Sequence, residues 1–530
     1  MNRIQILDCT LRDGGYCNQW NFGYRNIQKI VSSLVEANID IVECGFLTDR
    51  IVSDQDVTKY RSVDDISQFL PPDRQHRVFC AMINYGEFSI EELSEYQESC
   101  VQGIRVAFHK QDRMKALEYC RRVKEKGYLV FLQPMVSESY TDEEFLDLIR
   151  RANELQPYAF YIVDSFGMMK KKSLIHLFYM VEHNLQEDIW IGFHSHNNIQ
   201  MAYSNAQSLV EAQTNRNLII DASVYGMGRG AGNLNTELFV EYLNENIGTD
   251  YRLQPLLNVI DEILNEFYQR NYWGYSLPNY LSAAHSIHPN YALYLDDKKT
   301  LTLEDMDRLF AMMSREKGYE FDRKYIEELY RQYMADGKVQ EERYTELRSF
   351  LKGKTVLLIA PGKSAAKERE KVIACASRED VVAVSINYAY PYYDTDFIFL
   401  SNLRRFRELD ESMRSKCIVT SNIHTDQAYL RTDYGRLLNE VQAVQDNAGL
   451  MAVKFLTELG VEEILLAGLD GYSHDIEENY AERNLSIVMK SKMWDAINAG
   501  VQQVLSRYAR QVNIRFLTTE KYIKLNKDEV

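Results

Sequence analysis

Residues 6–16 read ILDCTLRDGGY, an apolar strand that ends in polar side chains and is followed at once by two glycines. Arg12 and Asp13 stand side by side at the end of this strand, and Gly14 and Gly15 come directly after them. A strand that ends in charged residues and a pliable turn is typical of a strand–helix unit that carries its functional groups at the carboxyl end. The same pattern recurs downstream.

Seven further short apolar runs follow, at IDIVECGF (39–46), RVFCAMI (77–83), GIRVAF (103–108), YLVFLQPMV (128–136), YAFYIVDS (158–165), WIGFHSH (190–196) and LIIDASV (218–224). Segments with helical spacing lie between them, such as DEEFLDLIRRANEL at 142–155. Apolar strands that alternate with amphipathic helices predict a parallel sheet covered by helices. Eight such units predict an α/β protein that begins with a TIM (β/α)8 barrel, whose active site lies at the carboxyl ends of the strands.

Polar side chains stand at the ends of these predicted strands. They are Arg12, Asp13, Glu43, Asn84, Arg105, His109, Asp164, Ser165, His194, His196 and Asn197. The eighth strand is followed by a glycine-rich loop, YGMGRGAGNLNTE (225–237), which contains Asn233 and Glu237. Because parallel strands end on one rim of a barrel, we expect these groups to converge there.

His194 and His196 give the strongest indication of a metal site. Residues i and i+2 of a strand point to the same face, so both imidazoles can face the barrel mouth. Only strand eight separates their strand from strand one, which brings Asp13 within reach and places the loop of Asn233 between them. Two imidazoles, a carboxylate and an amide oxygen suit Mn, Mg, Zn or Co. The alternative is a chance H-x-H pair, but the register of Asp13 and the glycine loop favours a metal site.

Three motifs, DCTLRDGG (8–15), FHSHNN (193–198) and GMGRGAGNLNTE (226–237), resemble those of the DRE-TIM metallolyases. This superfamily contains 4-hydroxy-2-oxovalerate aldolase, HMG-CoA lyase, isopropylmalate synthase and the carboxylase domain of pyruvate carboxylase. The resemblance implies that Asp13, His194 and His196 bind a divalent cation, and Asn233 is a further ligand in some members. It also implies that Arg12 stabilises an enolate. We expect Mn²⁺ or Mg²⁺, with Zn²⁺ and Co²⁺ as alternatives.

One position departs from the pattern of the superfamily. Pyruvate aldolases of this group carry a histidine three residues after the aspartate, where this chain has Tyr16. Tyr16 is predicted to be an acid/base residue if a nearby cation lowers its pKa, although it could equally be a pocket wall. A metal-bound water or a histidine from elsewhere would then move the proton. Glu43, Arg105 and Ser165 complete the predicted catalytic set.

The turn at Gly14-Gly15 also has two interpretations. It either bends the backbone tightly over the site or is an ordinary turn between a strand and a helix.

The function implied by the resemblance is a divalent-metal-dependent carbon–carbon lyase or aldolase that acts through an enolate. Its expected substrates are a 2-oxo acid, preferably pyruvate, and an aldehyde. Claisen chemistry on an acyl-CoA, as in other members of the superfamily, is an alternative. A third possibility is that the barrel is a retired scaffold and that the C-terminal domain carries the main function.

We predict that the barrel occupies residues 1–240 and that two further parts follow it. Residues 241–350 are predicted to form a helical extension and linker with many aromatic residues, and residues 351–530 a smaller Rossmann-like doubly wound domain. Its first strand leads into the turn PGKS, 361–364. Position 357 is Leu rather than Gly, so this turn is not a Walker A motif.

Gly362, Lys363, Ser364 and Asp470 are nevertheless predicted to bind a nucleotide or sugar phosphate, because they follow strands of such a sheet. The layout is similar to that of bacterial sialyltransferases and pterin diphosphokinases. A docking or oligomerisation module is the alternative.

Composition indicates which partners and which cellular location to expect for the protein. The net charge of −16 over 530 residues argues against nucleic acid or an anionic membrane as a partner. No apolar run is long enough to span a bilayer, and the N-terminus lacks the plan of a signal peptide, so we expect a cytoplasmic protein. The eight cysteines form no C-x-x-C pair, which predicts reduced, largely buried thiols. We also expect a homo-oligomer.

Overall fold

The computed structural model describes residues 3–74, 76–298, 301–335, 340–475, 478–481 and 494–520. The chain divides into two compact units. The first comprises Met1–Tyr294 and Phe310–Phe321, and the second Leu295–Leu309 and Asp322–Val530. The helices that the sequence assigned to one extension, residues 241–350, are therefore shared between the two units.

The first unit is built on a closed parallel barrel, as predicted. Its strands are β1 (Ile4–Asp8), β2 (Ile41–Leu47), β4 (Val78–Asn84), β5 (Gly103–Phe108), β6 (Leu129–Pro134), β7 (Ala159–Asp164), β8 (Trp190–Ser195) and β9 (Leu218–Ala222). Each pairs in parallel with its neighbour, and β1 pairs with both β9 and β2, which closes the barrel. A two-residue strand, β3 (Lys59–Tyr60), adds to β2. All eight strands predicted from the sequence are confirmed.

Helices connect these strands and pack on the outside of the barrel. They are α1 (Gly15–Asn18), α2 (Tyr24–Glu36), α3 (Val63–Ser67), α4 (Arg113–Glu125), α5 (Asp142–Leu155), α6 (Lys171–Asn184), α7 (Ala202–Val210) and α8 (Thr236–Asn246). The sequence of α5 shows why such a helix forms. Thr141 and Glu144 make a capping box at its start, and its buried face is apolar, from Phe145 to Leu155.

Alternate residues of the barrel strands point inward and fill the interior. This inner cluster contains Leu7, Cys9, Ile41, Cys80, Phe131, Ala159, Tyr161, Val163 and Ile219. Because the interior is packed with side chains, it leaves no open channel through the barrel. All eight cysteines of the chain are free thiols and buried.

Further helices follow the barrel. They are α9 (Leu253–Val259), a π-helical turn at Ile260–Leu264, α10 (Asn265–Arg270), α11 (Leu277–Ala284), α12 (Pro289–Asp297), α13 (Leu303–Met312), α14 (Arg315–Gly318), α15 (Arg323–Ala335) and α16 (Glu341–Leu351). Among the described residues, no helix combines the length and the apolarity that crossing a membrane requires.

The second unit contains a seven-stranded parallel sheet in the order β14-β13-β12-β11-β10-β15-β16. The strands are β10 (Thr355–Ile359), β11 (Val381–Ile386), β12 (Phe397–Leu400), β13 (Cys417–Thr420), β14 (Leu430–Thr432), β15 (Glu463–Ala467) and β16 (Asn513–Phe516). Strands β11 to β14 lie in succession on one side of β10, and β15 and β16 lie on its other side. This reversal of strand order is typical of a doubly wound fold. The predicted Rossmann-like class is confirmed. β14 is an edge strand of only three residues.

The helices of this unit are α17 (Lys363–Lys367), α18 (Arg369–Ala376), α19 (Leu403–Arg407), α20 (Glu411–Arg414), α21 (Tyr434–Leu437), α22 (Ala448–Leu459) and α23 (Trp494–Tyr508).

Candidate metal centre

Asp13, His194 and His196 meet at the carboxyl rim of the barrel. One ligand atom of each lies within 4.8 Å of the others, and all three side chains are buried. Asp13 belongs to the turn after β1, His194 to β8, and His196 comes just after β8. The structure therefore brings together three of the four predicted metal ligands in one cluster.

The turn after β1 fixes the position of Asp13. Backbone hydrogen bonds hold the turn, and the backbone comes so close to Gly14 that a side chain there would clash. The N–H groups of Arg12 and Asp13 both donate to the carbonyl of Cys9, at 3.1 and 2.8 Å. A Cβ added at Gly14 would lie 2.3 Å from the carbonyl oxygen of Thr10. The turn therefore leaves no room for a side chain at Gly14.

The protonation of the cluster suits a cation. Burial alone would raise the pKa of Asp13, but Arg12 and the two imidazoles outweigh it and hold that pKa well below its ordinary value. Burial lowers the pKa of His196 to about 3, so its ring is neutral at pH 7. Ionised carboxylate and neutral imidazole are the forms in which these side chains bind metals.

Two buried polar atoms without hydrogen-bond partners also support a metal site. In the part of the chain that the structure describes, His196 Nδ1 and Asn233 Oδ1 are buried and have no hydrogen-bond partner. Asn233 Nδ2 donates to Asp13 Oδ2 at 2.7 Å, which turns the amide oxygen away from that carboxylate. Buried lone pairs without a donor are costly unless something occupies them. Asp13, His194 and His196 therefore fit a divalent cation, and the role of Asn233 stays a prediction.

A set of buried charged residues contacts the metal cluster and Arg12 and holds them in place. His194 Nδ1 lies 2.9 Å from Asp221 Oδ2, which orients the ring and leaves Nε2 for a metal. Arg105 forms ion pairs with Asp221 and, at 2.9 Å, with Glu43. Glu43 in turn accepts a hydrogen bond from Arg12 Nε at 2.8 Å. These contacts connect the histidine of β8 to the arginine of the first turn.

Arg12 is left with one free donor. Its Nε binds Glu43, its Nη1 donates to Asp13 Oδ1 at 2.5 Å, and its Nη2 is buried without a hydrogen-bond partner among the described residues. A guanidinium held at two nitrogens presents the third in a fixed direction. The site thus places a fixed cationic donor beside the three candidate metal ligands.

Glu43, Arg105 and Ser165, predicted as catalytic residues, all have partners within the protein. Glu43 and Arg105 are completely buried and pair with each other and with Arg12 and Asp221. Ser165 Oγ accepts the backbone N–H of Val136 at 2.9 Å. These side chains are occupied in holding neighbouring groups, so we interpret them as positioning residues.

Tyr16 lies at the mouth of the barrel. Its ring packs edge-on against Trp20, with ring centroids 4.7 Å apart, and the guanidinium of Arg229 lies 5.3 Å from its centroid. Although 39% of Tyr16 is exposed, desolvation raises the pKa of its phenol. The phenol is therefore protonated at neutral pH, and its surroundings shift the pKa in the direction opposite to the lowering that an acid/base role was expected to need.

Sequence reasoning missed Asp221 and Arg229. Asp221 interrupts the apolar strand LIIDA, and a charged residue inside a buried strand is a signal that it has a partner. Arg229 stands in the glycine loop, donates to the carbonyl of Ser165 at 3.2 Å and lies 3.5 Å from His288 Nε2. Burial, and then Arg229, lower the pKa of His288 to about 2, so this histidine is neutral. Arg229 adds a second cation to the rim.

Asp221→Asn is expected to weaken metal binding about 10- to 100-fold, because the amide cannot hold the imidazole of His194 as the carboxylate does. A titration of the metal-free protein against a competing chelator measures this affinity. At saturating metal, most of the turnover should return. An unchanged affinity would show that Asp221 does not support the site.

The residues predicted to bind a phosphate in the second unit pair with neighbouring side chains. The backbone N–H of Ser364 donates to Asp470 Oδ2 at 2.8 Å, and its hydroxyl donates to the same carboxylate. Lys363 pairs with Glu478 at 3.1 Å, and a Cβ at Gly362 would lie 2.8 Å from Asp470 Oδ2. The carboxylate of Asp470 thus occupies the place where a phosphate was expected.

A closed parallel barrel whose rim joins an Arg-Asp turn to one histidine of β8 and a second just after β8 is the arrangement expected from the resemblance to the DRE-TIM metallolyases. The family model described as HMGL-like matches residues 3–263, so the N-terminal part of the chain is similar to that family.

Relatives and solved structures match the same half of the chain. The 4-hydroxy-2-oxovalerate aldolase of Geobacillus genomosp. 3 is 26% identical over 268 residues, which cover 49% of this chain and 77% of that aldolase. The aldolase of the same name from Pelotomaculum thermopropionicum is 24% identical, with the same coverage of each chain. The solved N-terminal domain of a candidate aldolase from Bacteroides vulgatus is 27% identical, with a TM-score of 0.49, and covers 57% of this chain and 99% of its own.

Proposed function

We propose that the barrel is a divalent-metal-dependent carbon–carbon lyase that forms the enolate of a 2-oxo acid, preferably pyruvate, and joins it to or releases it from an aldehyde. The observation that carries this proposal is the cluster of Asp13, His194 and His196 beside the unpaired Nη2 of Arg12. The HMGL-like match and the aldolases similar to this chain support the reaction class.

The side chains of the site supply what an enolate needs. A divalent cation held by Asp13, His194 and His196 would polarise the carbonyl of the 2-oxo acid and stabilise negative charge on its oxygen. Arg12 Nη2 is the fixed donor that faces this developing charge, in a buried setting where such a contact is strong. Arg229 adds positive charge at the rim, which suits a substrate that carries a carboxylate.

The direct test is release of pyruvate from 4-hydroxy-2-oxopentanoate by the full-length protein, followed through lactate dehydrogenase and NADH. The protein is first stripped with a chelator and then reloaded separately with Mn²⁺, Mg²⁺, Zn²⁺ or Co²⁺. We expect release only after reloading. No release from this or longer 4-hydroxy-2-oxo acids, together with cleavage of an acyl-CoA thioester, would replace the proposal with Claisen chemistry.

Tyr16→Phe is expected to slow aldol cleavage and synthesis about 10²- to 10⁴-fold, the range of general acid–base catalysis, while bound metal is retained. The physical reason is that the protonated phenol would exchange the proton of the substrate's hydroxyl group. Steady-state rates and metal analysis on the same preparation measure both effects, with Tyr179→Phe, an exposed tyrosine on α6, as the control. An unchanged rate would make Tyr16 a pocket wall and give the proton transfer to another group.

A further inference from the structure

A cavity of about 210 Å³ lies at the carboxyl ends of β10, β11 and β12 in the second unit. Ala360, Asn387 and Asn402, which follow these three strands, line it, and so does Asn447 at the start of α22. The strand order of the sheet reverses beside β10, which has β11 on one side and β15 on the other. Open parallel sheets bind their ligands in the crevice at such a reversal.

Two amides of this cavity are fixed as hydrogen-bond donors. Asn387 Oδ1 accepts the backbone N–H of Ser401 at 3.1 Å, and Asn402 Oδ1 accepts that of Arg404 at 2.9 Å. With both oxygens engaged, each side chain offers its NH₂ group as a donor. Asn387 also holds a left-handed backbone conformation, with φ of 58°, which is uncommon outside glycine.

Charged side chains also line the cavity, and two of them are further hydrogen-bond donors. Arg405 lines the cavity and pairs at 3.1 Å with Glu408, an exposed residue. Lys298 also lines it and pairs with Glu327 at 3.0 Å. Asp446 also lines the cavity, and burial raises the pKa of its carboxyl group. A ligand in this cavity therefore meets amide donors and two paired cations, and acceptor oxygens would match them.

Two aromatic side chains also line the cavity. Tyr472 and Tyr480 line the cavity with their ring centroids 6.2 Å apart. Trp494 stacks on Tyr472 at 4.8 Å and supports it from behind. Such a wall offers a surface for a flat base or for the face of a sugar ring.

We propose that this cavity binds a phosphate ester of a sugar or nucleoside. Asn387, Asn402 and Arg405 would contact the phosphate and hydroxyl oxygens, and Tyr472 and Tyr480 the organic body. The site lies beside Gly362, Ser364 and Asp470 but does not use them, because their polar groups satisfy one another. It does not depend on the reaction assigned to the barrel.

Isothermal titration of the full-length protein with AMP, UMP, ribose 5-phosphate, adenosine, uridine and inorganic phosphate tests the proposal. We expect at least one phosphate ester to bind with Kd below about 1 mM, and its unphosphorylated counterpart and inorganic phosphate to bind at least about tenfold more weakly. Asn387→Asp keeps the acceptor for Ser401 but replaces the NH₂ donor with charge. Arg405→Gln removes the cation, and Arg404→Gln, on the exposed side of the same helix, is the matched control.

Both test variants should weaken binding of that ester about tenfold or more, and the control should leave it unchanged. Tighter binding of AMP or UMP than of ribose 5-phosphate would identify a nucleotide site, and the reverse a sugar phosphate site. Three results would overturn the proposal: no binding of any ester, equal binding of inorganic phosphate, or undiminished binding by both Asn387→Asp and Arg405→Gln.

Discussion

Replacing Asp13 with asparagine, or His194 with alanine, is expected to remove the bound metal and to lower turnover on the order of 10³-fold, since metal stabilisation of an enolate supplies several kcal/mol. Asparagine keeps the size of Asp13 and an oxygen that can accept from Asn233, so the barrel should stay folded. Elemental analysis of the purified variants gives the metal content, and circular dichroism the fold.

His176→Ala is the matched control, because this histidine lies on the exposed surface of α6 and belongs to the same unit. It should keep both metal and rate. A folded Asp13→Asn or His194→Ala variant with normal metal content and normal turnover would remove these residues from the site and with them the assignment of the cluster.

Arg12→Lys is expected to keep the metal but to lower kcat about 10²- to 10³-fold, the cost of removing one donor to an oxyanion. The ammonium of lysine cannot bind Glu43 and Asp13 and at the same time present a third donor, as the guanidinium does. The comparison needs rates measured at saturating metal together with metal analysis of the same samples.

Arg121→Lys, an exposed change on α4, controls for the substitution itself. If Arg12→Lys loses activity and metal together, the main task of Arg12 is to hold Asp13. A metal-loaded variant with the wild-type rate would show that Arg12 does not stabilise the charged oxygen.

The barrel could be predicted because its strands are apolar on both faces and end in polar residues. Each of the eight strands is a short run of this kind, and turns and amphipathic helices separate it from the next. The cluster of Asp13, His194 and His196 could also be predicted from the sequence, since the two-residue period of a strand and the closure of the barrel place these side chains together.

The supporting residues could not be assigned from sequence, because their roles depend on pairings across the barrel. Glu43 and Arg105 have the residue types of catalytic groups, but only their mutual burial shows that they balance each other's charge. Asp221 stands 116 residues from Arg105, its partner. Likewise, nothing local reveals that the carboxylate of Asp470 fills the turn at Ser364.

The most direct test of the central claim is proton NMR of pyruvate in D₂O with the full-length protein, following the methyl signal. The metal-stripped protein and the Asp13→Asn variant are the controls. We expect the methyl signal to be lost with the metal-loaded protein and to persist in both controls. A methyl signal that persists in the presence of metal-loaded protein would contradict the claim that this site enolises pyruvate.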